Sequence, residues 1–211
     1  DIFVLGLILA IIFGASAACY GDSEKISIKM NQLGNENYLA GDMSKALKYF
    51  AKALEEERSF DNLSGIAINL NNVGNVYERL SDHKNALLFL NESAEINEKL
   101  DKKRELAINF NSLGNVYLLL GDLNKATEYY EKALKISEML KDKRLNAICL
   151  NNLGLSYKKT NNLDKALYYY EEALSLNKRI NDPVGKANNL NNIAGVYVAK
   201  GDFKKGLNYY L

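Results

Sequence analysis

The sequence predicts an all-α solenoid built from tandem antiparallel helix hairpins. Three observations carry the prediction: a repeat of constant length, helical spacing of apolar residues within each copy, and turn residues at fixed places between helices. Glycines stand at Gly34, Gly74, Gly114 and Gly154, and alanines at Ala46, Ala86, Ala126 and Ala166, each 40 residues after the last. Asn31, Asn71, Asn111, Asn151 and Asn191 carry the same step to a fifth copy. A period of this length, free of insertions, marks a stack of supersecondary units that cannot bury their apolar faces alone.

Inside a copy the pattern is helical. In the third, Phe110, Leu113, Val116, Tyr117 and Leu120 recur at three- and four-residue spacing up to Gly121-Asp122. Beyond that pair, Leu123, Ala126, Tyr129, Tyr130, Ala133, Leu134 and Ile136 trace a second apolar stripe. Gly121 suits a left-handed residue closing the first helix, and Asp122 suits a cap on the second. Gly41-Asp42, Ser81-Asp82, Asn161-Asn162 and Gly201-Asp202 repeat the turn. The predicted array covers 24–211, framed on the asparagine series as units 29–68, 69–108, 109–148, 149–188 and a truncated 189–211. Phe203, Leu207, Tyr209 and Tyr210 would lack the polar cap that ends a solenoid, so further repeats or another domain are expected beyond Leu211.

Within a unit, Phe110, Leu113-Gly114, Tyr117, Ala126, Tyr130 and Ala133 reproduce a known spacing of large apolar, Leu-Gly, Tyr, Ala, aromatic and Ala. The chain resembles the tetratricopeptide repeat family. The copies depart from the pattern in places: Asn37 with Tyr38 shifted by one, Leu90 and Ser93 for the aromatic and second alanine, and Ala194 and Gly206 in the fifth. The terminal proline is missing, and the unit is 40 rather than about 34 residues long, enough for about 1.5 further helical turns. That length, with Leu33-Gly34-Asn35 and Leu113-Gly114-Asn115, is similar to the long-repeat branch of Leu-Gly-Asn repeat proteins, kinesin light chains and bacterial sensor modules. The resemblance implies a right-handed superhelix whose first helices line a concave groove.

It also implies a ligand site. Asn31, Asn71, Asn111, Asn151 and Asn191, with Asn35, Asn75 and Asn115 one turn further on, would form an asparagine ladder that grips an extended peptide. A carboxamide both donates and accepts, so it can satisfy a peptide backbone without selecting a side chain. The alternative is that these asparagines bond between hairpins and serve stability, the role expected of Asn72, Asn152 and Asn192. Selectivity would come from positions that differ between copies, such as Tyr38, Glu78, Arg79, Leu118, Lys158 and Lys159.

Residues 1–19 differ in kind. An apolar run from Ile2 to Phe13 is followed by Gly14-Ala15-Ser16-Ala17-Ala18, the pattern of a secretory signal cleaved before Ala18. A second reading uses Cys19: Ser16-Ala17-Ala18-Cys19 resembles a bacterial lipobox, in which the cysteine is acylated, although Ser16 stands where leucine is preferred. An uncleaved anchor is the third, the apolar stretch being near the short limit for spanning a bilayer. On these readings the repeats are exported across the inner membrane, to be periplasmic, secreted or tethered as a lipoprotein. Membrane contact is expected only through that N-terminal lipid or anchor. The chain opens on Asp1 with no basic n-region, which predicts residues ahead of it.

The remaining composition excludes more than it assigns. Lys and Arg number 27 against 26 Asp and Glu, a net charge of +1 with no basic stripe, so nucleic acid is not an expected partner. The runs Lys102-Lys103-Arg104 and Lys141-Asp142-Lys143-Arg144 read as solvated loop charge, and Glu55-Glu56-Glu57 as a solvated helix face. Cys149, in an apolar stretch, reads as a buried inert thiol, and His83 as a packing or turn residue. No phosphate loop, zinc-protease or nucleophile-elbow motif is present, so neither catalysis nor a cofactor or metal is expected. The expected function is an exported scaffold that binds a protein or peptide segment. The alternative is the extracytoplasmic sensor part of a signalling protein whose kinase, cyclase or transcription-regulator output lies beyond residue 211.

Overall fold

The computed structural model describes residues 24–210, so the expected signal segment with Cys19 lies outside the described residues. Every element is a helix: α1 (24–40), α2 (Met43–Ser59), α3 (Leu63–Arg79), α4 (His83–Lys99), α5 (Lys103–Leu120), α6 (Leu123–Met139), α7 (Lys143–Lys159), α8 (Leu163–Arg179), α9 (Pro183–Ala199) and α10 (Phe203–Tyr210). The hairpins therefore pair α1 with α2 and so on through α9 with α10. Their natural frame begins at 24, 63, 103, 143 and 183. Units framed at 29, 69, 109, 149 and 189 cut every first helix in two, because the asparagine that set the frame sits mid-helix.

Each turn closes on one left-handed residue. Gly41 (φ 84°), Ser81 (60°), Gly121 (80°), Asn161 (59°) and Gly201 (81°) lie inside hairpins, where the turn pairs place them. Asp61, Asp101, Lys141 and Asn181 do the same between hairpins. Two backbone bonds lock each turn; at the first, the Gly41 amide donates to Tyr38 O (3.2 Å) and the Asp42 amide to Asn37 O (2.9 Å), satisfying carbonyls that a helix end leaves open. The next residue then caps the following helix: Asp42, Asn62, Asp122, Asp142, Asn162, Asp182 and Asp202 each accept from a backbone amide three residues on. Lys102 stands in this place ahead of α5 and makes no such bond.

The chain divides into two compact units, Asp1–Ile96 and Asn97–Leu211. In the first, Ala46, Phe50, Val73 and Val76 form one buried cluster and Leu54, Ile66 and Leu70 another, with Phe89 packing against both. Ser93, replacing the usual alanine, is fully buried and donates to Ala67 O at 2.6 Å, which satisfies its hydroxyl. In the second unit each helix packs on its sequence neighbours, and the first helices α5, α7 and α9 also touch in turn. Its clusters are Ala107, Ala133, Leu145 and Cys149; Ala126, Tyr130 and Leu153; and Ala166, Tyr170, Leu174, Ile193 and Val196. The helices of a hairpin cross so closely that a Cβ on Gly114 would lie 2.5 Å from the Tyr130 ring. Stacked ring pairs Tyr77–Phe89, Tyr117–Tyr129, Tyr157–Tyr169 and Tyr197–Tyr209, with centroids 5.3–5.5 Å apart, mark the same place in successive hairpins.

Candidate functional site

The asparagine series lies on the first helices, which stack side by side within each unit. In the first unit the Asn31 amide donates to Asn69 Oδ1 (2.8 Å), the Asn35 amide donates to Asn31 Oδ1 (2.9 Å), and the Asn69 amide donates to Gly65 O (3.1 Å). Asn71 and Asn75 are half-buried on α3. In the second unit Asn152 donates to Asn111 Oδ1 (2.8 Å), and Asn189 and Asn192 both donate to Asn151 Oδ1 (3.0 and 2.9 Å). Asn115 accepts from the buried Tyr130 hydroxyl at 2.8 Å. Asn191 is exposed on α9.

Asn31, Asn111 and Asn151 therefore bridge adjacent hairpins, as Asn152 and Asn192 were expected to do. This does not exhaust them. A carboxamide has two N–H donors and two lone pairs, and only the oxygen of Asn111 is engaged by the hydrogen bonds described. The arrangement is a stabilising network that still presents amide valences along the first-helix face.

A further row of polar residues supports this network. Asn69, Asn109 and Asn189 are buried on first helices, and Glu57, Asn97, Ser137 and Asn177 are buried on second helices. Asn97 donates to Asn109 Oδ1 (2.7 Å) and Asn177 to Asn189 Oδ1 (2.6 Å). Glu57 corrects the expectation of a solvated carboxylate face: Glu55 is exposed, but Glu57 is only 7% exposed. The signal was present in the sequence. Positions 57, 97, 137 and 177 are polar in every copy and sit in register with the buried stripe. The place of Gly65 is glycine again at Gly185, whereas one copy after Gly65 it is Glu105, with Asn97 as the buried polar residue. A Cβ on Gly65 would overlap the Glu57 carboxylate, and one on Gly185 would lie 2.6 Å from the Asn177 amide. Where the same place is Leu145, its counterpart is the smaller Ser137.

This register leaves two equivalent depressions. One, of about 260 Å³, is lined by Ser27, Ile28, Asn31, Glu57, Gly65 and Asn69 among others. The second, of about 170 Å³, is lined by their counterparts Ala147, Ile148, Asn151, Asn177, Gly185 and Asn189, with Arg144 and Asp182. Elsewhere on the first unit, the Arg79 guanidinium lies 5.4 Å above the Tyr38 ring, and burial pushes the Glu78 carboxyl above its ordinary range. Lys125, Lys165 and Lys205 cover Tyr117, Tyr157 and Tyr197 at 5.0, 4.8 and 5.4 Å. Cys149 is fully buried and burial pushes its thiol up to about 12, so it is an un-ionised packing group near neutral pH. Among the described residues no three His, Cys, Asp or Glu side chains gather where they could hold a metal, and no helix is long and apolar enough to cross a membrane.

Residues 21–99 and 104–179 match the family model described as Tetratricopeptide repeat. The chain matches none of the curated proteins in sequence. Among solved structures it is similar to BtubC (BKLC) from P. vanneervenii, 22% identical over 94% of this chain and 83% of that one, with a TM-score of 0.77. It is also similar to the Rap conjugation gene regulator of plasmid pLS20 in complex with the Phr peptide: 21% identity, 84% of this chain, 49% of that one, TM-score 0.74. Aspartyl phosphate phosphatase F from Bacillus subtilis gives 17%, 97%, 53% and 0.79. The chain thus spans about half the length of the two latter proteins, and identities this low establish the shared fold alone.

Proposed function

Because this chain belongs to the tetratricopeptide repeat family, we propose that it is a non-catalytic interaction module that binds an extended peptide or protein segment along its first-helix face. One observation carries the reading. The asparagine network and its flanking depressions recur in the same register in both units, with amide donors and acceptors left open beside them. A face needed for packing alone would more economically be closed with apolar side chains. Support also comes from the fold neighbour that was solved with a peptide bound.

The test must spare the bridging residues, since alanine at Asn111 or Asn151 removes bonds between hairpins. Asn35 and Asn191 are exposed, one in each unit. A phage-displayed library of random dodecapeptides panned on the chain should enrich linear sequences whose binding is lost in Asn35→Arg or Asn191→Arg, with thermal stability unchanged. Failure to enrich any peptide, or binding indifferent to both substitutions, overturns the reading.

The proposal extends to location: the apolar run from Ile2 to Phe13 supports export, with Cys19 as the acylation site if the segment is a lipoprotein signal. The intact mass of the mature protein distinguishes cleavage before Ala18, acylated Cys19 and an uncleaved leader. A second reading, the sensor part of a larger signalling protein, is favoured by the gene regulator and the phosphatase whose structures this chain covers only by half. A kinase, cyclase or DNA-binding domain encoded after residue 211 would select it.

A further inference from the structure

Glu57 stands apart from its counterparts. It is the one carboxylate in a row otherwise filled by Asn97, Ser137 and Asn177, and it is buried with them. Its oxygens accept from the Ser27 hydroxyl and from the Asn62 amide at 2.7 Å, both neutral donors. Among the described residues it has no ion-pair partner, and no lysine or arginine lines the depression of about 260 Å³ beside it. Buried charges are ordinarily paired, because an ionised group taken from water without a counter-charge is strongly disfavoured. The carboxylate also needs Gly65, whose place would otherwise hold a Cβ overlapping it. Two sequence features thus converge to bring a carboxylate with no cationic partner among the described residues to the floor of one pocket.

The walls specify the rest. Ile28 and Ile68 line the pocket yet stay 52% and 47% exposed, leaving apolar surface that no described residue covers. Asn31 and Gln32 place carboxamides beside them. Apolar walls leading to a buried carboxylate suit a long aliphatic stem with a cationic head, which buries its methylenes along the walls and sets its charge at the end. The equivalent depression in the second unit provides the contrast: Asn177 is neutral there and Arg144 is part of the lining.

We propose that the Glu57 pocket is a subsite for a lysine or arginine side chain of the bound segment, with the Glu57 carboxylate as its counter-ion. The proposal rests on the peptide-binding reading and adds the chemistry by which one residue of the ligand is selected. Glu57→Gln removes the charge while its carboxamide can still accept from Asn62 and donate to Ser27. Glu57→Asn copies the residue that the fold already holds at 97 and 177, and so guards against a misfolded first variant.

Random dodecapeptides displayed on phage and panned on the full chain should converge on sequences with lysine or arginine at one fixed position. A synthetic peptide of the enriched sequence should bind either folded Glu57 variant about tenfold or more weakly. Replacing its basic residue by methionine should cause a similar loss on the wild-type chain and no further loss on the variants. Enriched peptides without a basic position, or undiminished binding to both variants, overturn the inference and leave the groove reading intact; enrichment of no peptide overturns both. Butylguanidinium, titrated while the Asn62 and Gly65 amide resonances are followed, separates the sources of the cation. Binding far weaker than the peptide's supports a side chain presented by a segment, and equal affinity overturns that assignment in favour of a free small organic cation.

Discussion

Tyr130 and Tyr170 occupy the same place in consecutive hairpins, and both are fully buried. The Tyr130 hydroxyl donates to Asn115 Oδ1 at 2.8 Å. One copy later the place of Asn115 is taken by Leu155, and the Tyr170 hydroxyl has no partner among the described residues; burial alone pushes its phenol up. A buried donor without an acceptor costs about 1–3 kcal/mol, whereas a typical satisfied bond contributes about 1 kcal/mol net. Removing the hydroxyl should therefore have opposite signs at the two places. Tyr170→Phe should stabilise by about 1 kcal/mol after allowance for the small void left, and Tyr130→Phe should destabilise by about the same amount. For a chain of this size each kcal/mol moves Tm by roughly 2–4 °C, so the two variants should differ by roughly 4–8 °C. Urea and thermal unfolding followed by far-UV circular dichroism measure both. Leu155→Asn, made in wild type and in Tyr170→Phe, completes a double-mutant cycle that separates the restored bond from the lost leucine packing. If Tyr170→Phe destabilises as much as Tyr130→Phe, the hydroxyl has an acceptor and the reasoning fails.

Three further outcomes follow from particular residues. Lys102→Asp should give α5 the cap that its counterparts have, raising stability by about 1 kcal/mol, read as a higher urea midpoint with unchanged slope. Asn151→Ala should cost about 1–3 kcal/mol, because the Asn189 and Asn192 amides both lose their acceptor; hydrogen exchange should accelerate first in α7 and α9. Cys149 has a folded pKa raised by burial, to about 12, against roughly 8.5 in an unfolded chain. Its contribution is thus complete below about pH 8.5 and is lost as pH rises from there toward the folded value. Cys149→Ala should flatten that alkaline part of the stability profile relative to wild type, and parallel profiles would contradict the assignment.

The fold was legible because its signals are local and repeated. Spacing of three and four residues marks a helix wherever it occurs, and Gly121-Asp122 marks a turn on its own chemistry. The turns between hairpins were harder to see, since Asp61 and Lys141 take the left-handed conformation without the glycine that advertises it. The site was legible only in outline. Periodicity assigns Asn111 and Asn151 to a helix face, but their partners Asn152, Asn189 and Asn192 lie 38–41 residues away and depend on how hairpins stack. Glu57 was hidden by its neighbours. In the run Glu55-Glu56-Glu57 the outer member is exposed and the last is buried, a difference of two positions on the helical wheel that composition does not register.

The left-handed residues have a consequence for how such a chain can change length. They fall at 41, 61, 81, 101, 121, 141, 161, 181 and 201, one every 20 residues, with the same bond pattern on either side. The backbone therefore has half the period of the side chains: it repeats with every helix, while the apolar code repeats with every hairpin. A cut at one such residue and a join at another two steps away meet in matching geometry, with apolar stripes still in phase. Unequal exchange between copies at these points adds or removes a whole hairpin without creating a new loop, so array length can drift under selection while each junction stays the same.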